Sequence, residues 1–227
     1  MITIVLSRIV LLRVLLRYIQ CMSIELLFEQ IQNLLQSDKP RSIIGIVGKP
    51  GAGKSTVVEE IQSRFGSNAV CIIPMDGYHL SNEELIKLGR RERKGAPDTF
   101  AVSEFIELLK SVKSNYSTAH RFPIFHREIE ASVADEGIVL TTSRVIVTEG
   151  NYLFSREHGW DGLFELLDYT WFIEVDDQIR IPRLIARHIE FGKTPEEAEA
   201  WVWRSDDSNA KFIDSTADRA SNIIKIK

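Results

Sequence analysis

The sequence predicts an α/β fold in which a parallel sheet carries helices on both faces. Three observations lead there. Short apolar runs of strand length alternate with amphipathic runs of helix length from Ser23 onward. The first apolar run, residues 42–47, leads into a glycine-rich segment and then a helix start at Ser55. Acidic residues stand just past two later apolar runs, Asp76 after 70–75 and Glu149 after 144–148. In parallel sheets, ligands bind beyond the carboxyl ends of the strands, so these positions are where a site is expected.

The elements follow in order. Ile24, Leu27, Phe28, Ile31, Leu34 and Leu35 share one helical face, with Ser23 as the expected N-cap and Pro40 beyond the end. A buried strand is expected over 42–47, then a helix from Ser55 to about Phe65, stopped by Gly66. Residues 69–73 read as a second strand. Residues 82–88 and 103–112 read as helices, separated by a charged, Gly- and Pro-containing loop over 89–99. Strands are expected over 144–148 and 169–175, and a helix over 179–191. Thr194, Pro195 and Glu197 mark a new helix start: N-cap, first position and capping-box partner. Residues 222–226 could form a last strand.

Composition narrows the function. A chain of 227 residues, 44% hydrophobic and 26% charged, can bury a full enzyme-sized core. The net charge of −4 gives no reason to expect nucleic acid as a partner. The two cysteines, Cys21 and Cys71, have no paired metal spacing and predict no disulfide framework, so a reducing cytoplasm is the expected compartment. Residues 1–21 are apolar, free of acidic residues and interrupted by Arg8, Arg13 and Arg17. That pattern suits neither a spanning helix nor a signal peptide, so no stable membrane insertion is expected. The expected organisation is an extension over 1–21, with translation starting at Met22, and a domain over 22–227. A basic membrane-surface helix is the other reading of the extension. Homodimerisation is left open.

The chemistry begins with Gly48-Lys49-Pro50-Gly51-Ala52-Gly53-Lys54-Ser55, which matches the phosphate-cradling pattern G-x-x-x-x-G-K-[ST] at every fixed position. Glycines let backbone amides wrap a phosphate, and the helix start adds partial positive charge. The expected fold is therefore that of a P-loop NTPase. Gly48, Lys49, Pro50, Gly51, Ala52, Gly53, Lys54, Ser55 and Thr56 form the expected ATP-binding set. Lys54 is expected at the β- and γ-phosphates and Ser55 on Mg²⁺. Asp76 and Glu149, each just past a core strand, suit the two carboxylate tasks of phosphoryl transfer, orienting an acceptor hydroxyl and holding a metal.

Three further runs carry a resemblance: Met75-Asp76-Gly77-Tyr78-His79-Leu80, Arg93-Lys94-Gly95-Ala96-Pro97-Asp98-Thr99-Phe100 and Glu149-Gly150-Asn151-Tyr152-Leu153. With the phosphate loop, they resemble the superfamily of uridine kinase, phosphoribulokinase and bacterial pantothenate kinase, over about 23–227. The first two most resemble pantothenate kinase. The whole set is also similar to bacterial kinases described as fructose kinase-like or nucleoside/nucleotide kinase-like. The resemblance implies that Asp76 activates the acceptor and that Glu149 lies near Mg²⁺. Pro123-Ile124-Phe125-His126-Arg127 falls where relatives carry P-x-Y-[DS]-[HF], a substrate-contacting strand or hairpin. Here Phe125, His126 and Arg127 depart from that pattern, and Arg127 adds a fixed cation suited to an anionic or hydroxyl-rich acceptor. The implied acceptor-side set is Asp76, Tyr78, Lys94, His126, Arg127 and Asn151.

The basic helix over 179–191 is the lid candidate. Arg180, Arg183 and Arg187 share a face. Similar kinases use arginines from this region to close over the transferring phosphate. Arg183 and Arg187 are the expected catalytic pair, beside Lys54 and Asp76, with Arg180 the weaker candidate. The stretch 207–211 resembles a segment near the pantothenate kinase active site, which makes Asn209 a further contact candidate. Trp201 and Trp203 could line a pocket, but two positions apart on a helix they face different ways.

The expected activity is an ATP- and Mg²⁺-dependent transfer of phosphate to a hydroxyl of a small metabolite, pantothenate-, sugar- or nucleoside-like. A regulatory GTPase or metallochaperone switch is the alternative, but the N-K-x-D run that reads guanine and Cys- or His-rich tracts are both missing. A binding module without transfer is the third class, and it has no use for an acceptor-side base.

Overall fold

The computed structural model describes residues 21–22 and 24–226. The expected extension over 1–21, apart from the backbone of Cys21, and the Ser23 cap lie outside the described residues.

The elements run β1 (Cys21–Met22), α1 (Ile24–Gln36), β2 (Ser42–Gly48), α2 (Lys54–Phe65), β3 (Val70–Pro74), α3 (Asn82–Lys87), α4 (Val102–Ser114), β4 (His120–His126), β5 (Ala131–Val139), β6 (Val145–Gly150), α5 (Asp161–Phe164), β7 (Tyr169–Val175), α6 (Asp177–Glu190), α7 (Pro195–Trp201), α8 (Asp207–Asp214) and β8 (Asn222–Ile226). Six strands form one sheet in the order β1-β8-β7-β2-β6-β3, and every neighbouring pair is parallel. β4 and β5 stand apart as an antiparallel hairpin.

Side-chain alternation along the strands builds a core on each face. From β2, β6 and β7, Ile43, Val47, Ile146 and Phe172 join Phe105, Leu109, Phe154 and Trp160 on one side. Ile44, Ile46, Val147, Trp171 and Ile173 join Leu27, Ile31, Val57 and Ile61 on the other. The apolar stripe expected on the first helix is the buried stripe of α1: Leu27, Phe28, Ile31 and Leu34. Both β2 and β6 are buried along their whole length, which is why they read as continuous apolar runs.

The last strand, Asn222–Ile226, and the Thr194 capping box are found where the sequence put them. β5 escaped the sequence reading. It lies on the surface with most of its residues half-buried or exposed, so it carries no apolar run. Its partner β4 shifts register between Phe122 and Ile124, at Pro123, which has no N–H to give the ladder. The hairpin is held against the main body by the segment Met75–Tyr78. There a Cβ on Gly77 would stand 2.1 Å from the Pro123 carbonyl oxygen, so only glycine permits that approach.

Candidate active site

The carboxyl ends of β2, β3 and β6 converge on a cavity of about 520 Å³. Residues 50–56 form one wall. Gly51 (φ 79°) and Gly53 (φ 89°) take left-handed conformations that turn the chain from β2 into α2. Behind this wall stand Gly48, the last residue of β2, and Lys49. The Lys49 ammonium is held between Asp177 (3.1 Å) and Asp214 (3.3 Å). These two expected nucleotide contacts do not line the cavity; Lys49 ties the loop to α6 and α8. Arg180, the weaker lid candidate, is also structural. It is fully buried, bonded to Asp177 at 2.8 Å and packed under Gly51.

Lys54 opens α2, and its Nζ donates to the Gly48 carbonyl (2.9 Å) and to Asn151 Oδ1 (2.7 Å). Burial makes its ammonium more acidic than usual, and the charges of Glu149 and Asp76 oppose that shift. Ser55 and Thr56 also line the cavity. Glu149 is buried at the end of β6, and burial pushes its carboxyl up to about 7 despite the nearby Lys54 charge.

Asp76 sits in the short turn after β3 and faces the same cavity. Burial alone would raise its pKa. Charge from His79, Arg127, Lys54 and Arg187 outweighs that and holds the carboxylate below its ordinary range. Arg127 Nη2 donates to Asp76 Oδ2 at 3.0 Å. The His79 Nδ1–H donates to the Asp76 carbonyl at 2.8 Å, and its ring packs at a tilt between Phe100 (4.2 Å) and Phe125 (4.7 Å). Lys94 lies 5.5 Å from the Phe125 ring centre and donates to Asn82 Oδ1 and the Glu130 carbonyl.

From the other side come Arg183 and Arg187 on α6, then Trp201 and Asn209. Arg187 is surrounded closely enough that burial, then the Arg127 charge, weakens its hold on its proton. Trp201 carries the Lys193 ammonium over its ring at 4.5 Å, whereas Trp203 is exposed. Between α7 and α8 the chain takes a π-helical turn, Val202–Asp206, and Asp206 accepts from His188 Nε2 at 2.8 Å. Such turns widen a helix locally and often mark functional segments.

Two acceptor-side expectations are corrected. The Tyr78 ring is buried in the core against Phe105 (4.7 Å) and does not reach the cavity. Its large apolar ring is buried against the core, and His79, the next residue, takes the cavity side. His126 points away from the cavity and bonds Glu136 across the hairpin at 2.6 Å, because strand neighbours face opposite sides and Phe125 takes the inward one. His79, Phe100, His188 and Lys193 line the cavity without having been singled out. For His79 a signal existed: it lies three residues after Asp76, within one turn of a carboxylate.

A strand-to-helix phosphate loop facing carboxylates at two neighbouring strand ends defines a nucleotide-dependent phosphotransferase of the P-loop class. The family model described as the phosphoribulokinase / uridine kinase family matches residues 43–226, and the chain belongs to that family, whose members are small-molecule kinases. A Schizosaccharomyces pombe protein provisionally named a uridine kinase is 33% identical over 198 residues, covering 83% of this chain and 84% of its own. Pantothenate kinase of Chelativorans sp. is 31% identical over 168 residues, covering 68% of this chain and 52% of its own. Among solved structures, a protein from Silicibacter sp. TM1040, provisionally a fructose transport system kinase, is 29% identical with a TM-score of 0.80, covering 91% of this chain and 100% of its own. Among the described residues, no helix is long and apolar enough to cross a membrane.

Proposed function

We propose that this chain transfers the γ-phosphoryl group of ATP, with Mg²⁺, to a hydroxyl of a small metabolite. The observation that carries the reading is the shared cavity: a half-buried P-loop lysine on one wall, and across it a carboxylate kept ionised by surrounding cations.

Lys54 sets its charge against the β- and γ-phosphate oxygens, and the amides of residues 50–55 cradle them. Asn151 fixes the Lys54 ammonium on its acceptor-facing side. Asp76 accepts the proton of the acceptor hydroxyl as that oxygen bonds to the γ-phosphorus. The bond from phosphorus to the bridging oxygen breaks, and ADP leaves with that electron pair. Arg183 and Arg187 reach the transferring group from α6, where planar donors suit phosphate oxygens.

Ser55 and Glu149 fit Mg²⁺. Both present hard oxygen donors to one cavity, and magnesium bound with substrate phosphates needs only one or two protein ligands. When bound, the ion neutralises charge on the phosphates. Burial raises the Glu149 carboxyl even with the Lys54 and Arg127 charges nearby, and a divalent ion would favour its ionised form.

Nucleoside, pantothenate and sugar acceptors are named among the relatives, and Lys94, Arg127 and Asn151 are the acceptor-facing residues of this cavity. The test is ADP release from Mg-ATP with and without a panel of hydroxyl-bearing metabolites, using wild type and Lys54→Met. Acceptor-dependent release that vanishes in Lys54→Met supports the reading. ATP turnover that ignores every acceptor and survives Lys54→Met sinks it.

A further inference from the structure

Arg127 closes on the carboxylate that the proposed reaction needs free. Its guanidinium donates to Asp76 Oδ2 at 3.0 Å from the far side of the cavity, from a hairpin 51 positions along the chain. An arginine on a carboxylate lowers that group's appetite for a proton and covers one of its oxygens. Staying ionised suits a base that acts on an alcohol, but the weakened basicity and the covered oxygen do not. The ion pair is therefore useful only if the arginine has somewhere else to go during reaction.

The same wall shows where. Lys94 faces the cavity with only neutral oxygens bonded to its ammonium, Asn82 Oδ1 at 2.9 Å and the Glu130 carbonyl at 2.7 Å. Among the described residues it has no carboxylate within ion-pair distance. Arg91, also on this wall, is bridged to Glu130 at 3.2 Å. Of these three cations, Arg91 is paired with Glu130 and Arg127 with Asp76, which leaves Lys94 as the one without a carboxylate partner among the described residues. His79 and Phe125 form an aromatic floor beside these cations, 4.7 Å ring to ring.

Resting on the kinase reading above, we infer that the acceptor carries a compact oxyanion, a carboxylate or a phosphate, and that this group binds Arg127 and Lys94 and draws Arg127 off Asp76. The enzyme then holds its base masked until an anionic alcohol enters. The oxyanion takes Arg127's fork bidentately and gives Lys94 the counter-charge it lacks. Asp76 is released beside the hydroxyl of the same molecule. A neutral alcohol leaves the ion pair closed, so the cavity selects for charge through its base as well as through binding. Water, being neutral, is excluded by the same device, which limits wasteful ATP hydrolysis.

Arg127 is a surface-facing residue at the end of β4, with its side chain 44% exposed, so its replacement leaves the core intact. The experiment compares acceptors in matched pairs that differ in the anion: glycerate and glycerol, pantothenate and pantothenol, ribose 5-phosphate and ribose. ADP release is measured for wild type, Arg127→Met and Arg127→Lys. The expected result is a preference of about 10²-fold in kcat/KM for one anionic member over its neutral partner, in the range for a lost hydrogen-bonded charge contact. Arg127→Met should erase that preference and raise acceptor-free ATP hydrolysis, and Arg127→Lys should restore the preference in part. In parallel, calorimetry with ADP-saturated protein measures binding of propionate and of methylphosphonate, which separates carboxylate from phosphate and needs no turnover. Saturable binding of either that is lost in Arg127→Met supports the inference. Equal use of a neutral acceptor, anion binding that survives in Arg127→Met, or the absence of saturable anion binding overturns it. Equal turnover of the neutral acceptor would do so while leaving the kinase reading in place.

Discussion

Lys54 Nζ donates to Asn151 Oδ1 at 2.7 Å, joining the first residue of α2 to the residue just past β6, 97 positions away. The ammonium is also held by the Gly48 carbonyl at 2.9 Å. Its charge is thus oriented by the protein itself, and pre-orientation is what would make such a cation effective in the proposed transfer.

Removing either end should therefore hurt turnover, by different amounts. Lys54→Met is expected to lower kcat by about 10³-fold or more and to weaken ATP binding, because the charge itself is lost. Asn151→Ala keeps the charge and loses its anchor, with an expected loss of about 10-fold. Steady-state kinetics beside circular dichroism separates these effects from unfolding. Wild-type turnover in Lys54→Met would exclude the phosphate role.

Asp76 and Glu149 should part by function. Asp76→Asn is expected to cut kcat by about 10²-fold or more with ATP affinity nearly unchanged, since its proposed role is on the acceptor. Glu149→Gln should instead raise the Mg²⁺ concentration needed for half-maximal rate. A Mg²⁺ titration of both variants decides between the assignments, and interchange of the two phenotypes would reverse them.

The arginines of α6 should act late. Arg187→Ala is expected to lower turnover on the order of 10²-fold, with Arg183→Ala following and ATP affinity moving far less. Arg187→Lys should rescue in part, because a point charge cannot copy a planar fork. Equal losses in ATP binding and turnover would mark these residues as ordinary nucleotide contacts.

Asp168 supplies a pH test of the fold away from the cavity. Its carboxylate accepts from the Ile43 N–H (2.8 Å), Lys39 (3.0 Å) and Lys113 (3.2 Å), stitching the start of β7 to β2 and α4. Burial would raise its pKa, but these partners together hold it below 3.8. A carboxyl more acidic in the folded state than in the unfolded one stabilises the fold above the unfolded value, and that stability drains away as pH falls through the folded one. Asp168→Asn should therefore cost about 1–3 kcal/mol at pH 7, with the gap to wild type narrowing below about pH 4. Urea unfolding at both pH values checks this; a gap that stays constant with pH would remove the ionic contribution.

Much of this protein was legible one residue at a time. The phosphate loop, the apolar strands β2, β6 and β7, the stripe of α1 and the Thr194 capping box are local patterns, each set by a few neighbours in the chain. Position just past two core strands pointed to Asp76 and Glu149, and family resemblance to Arg183 and Arg187; all four face the cavity. What the chain order could not reveal was direction and partnership. Whether Tyr78 or His79 turns toward the cavity depends on which fits against Phe105 and Phe100, residues that come close only after α4 has packed. Strand parity at Phe125 and His126 is set by how β4 docks on Gly77. The grip of Arg127 on Asp76 depends on that same docking, because no local rule brings a hairpin tip onto the end of a parallel strand 51 residues earlier. Residue types and spacings determined the chemistry this chain can perform. Long-range packing, which positions side chains against partners distant in sequence, decided which of them face one another across the cavity.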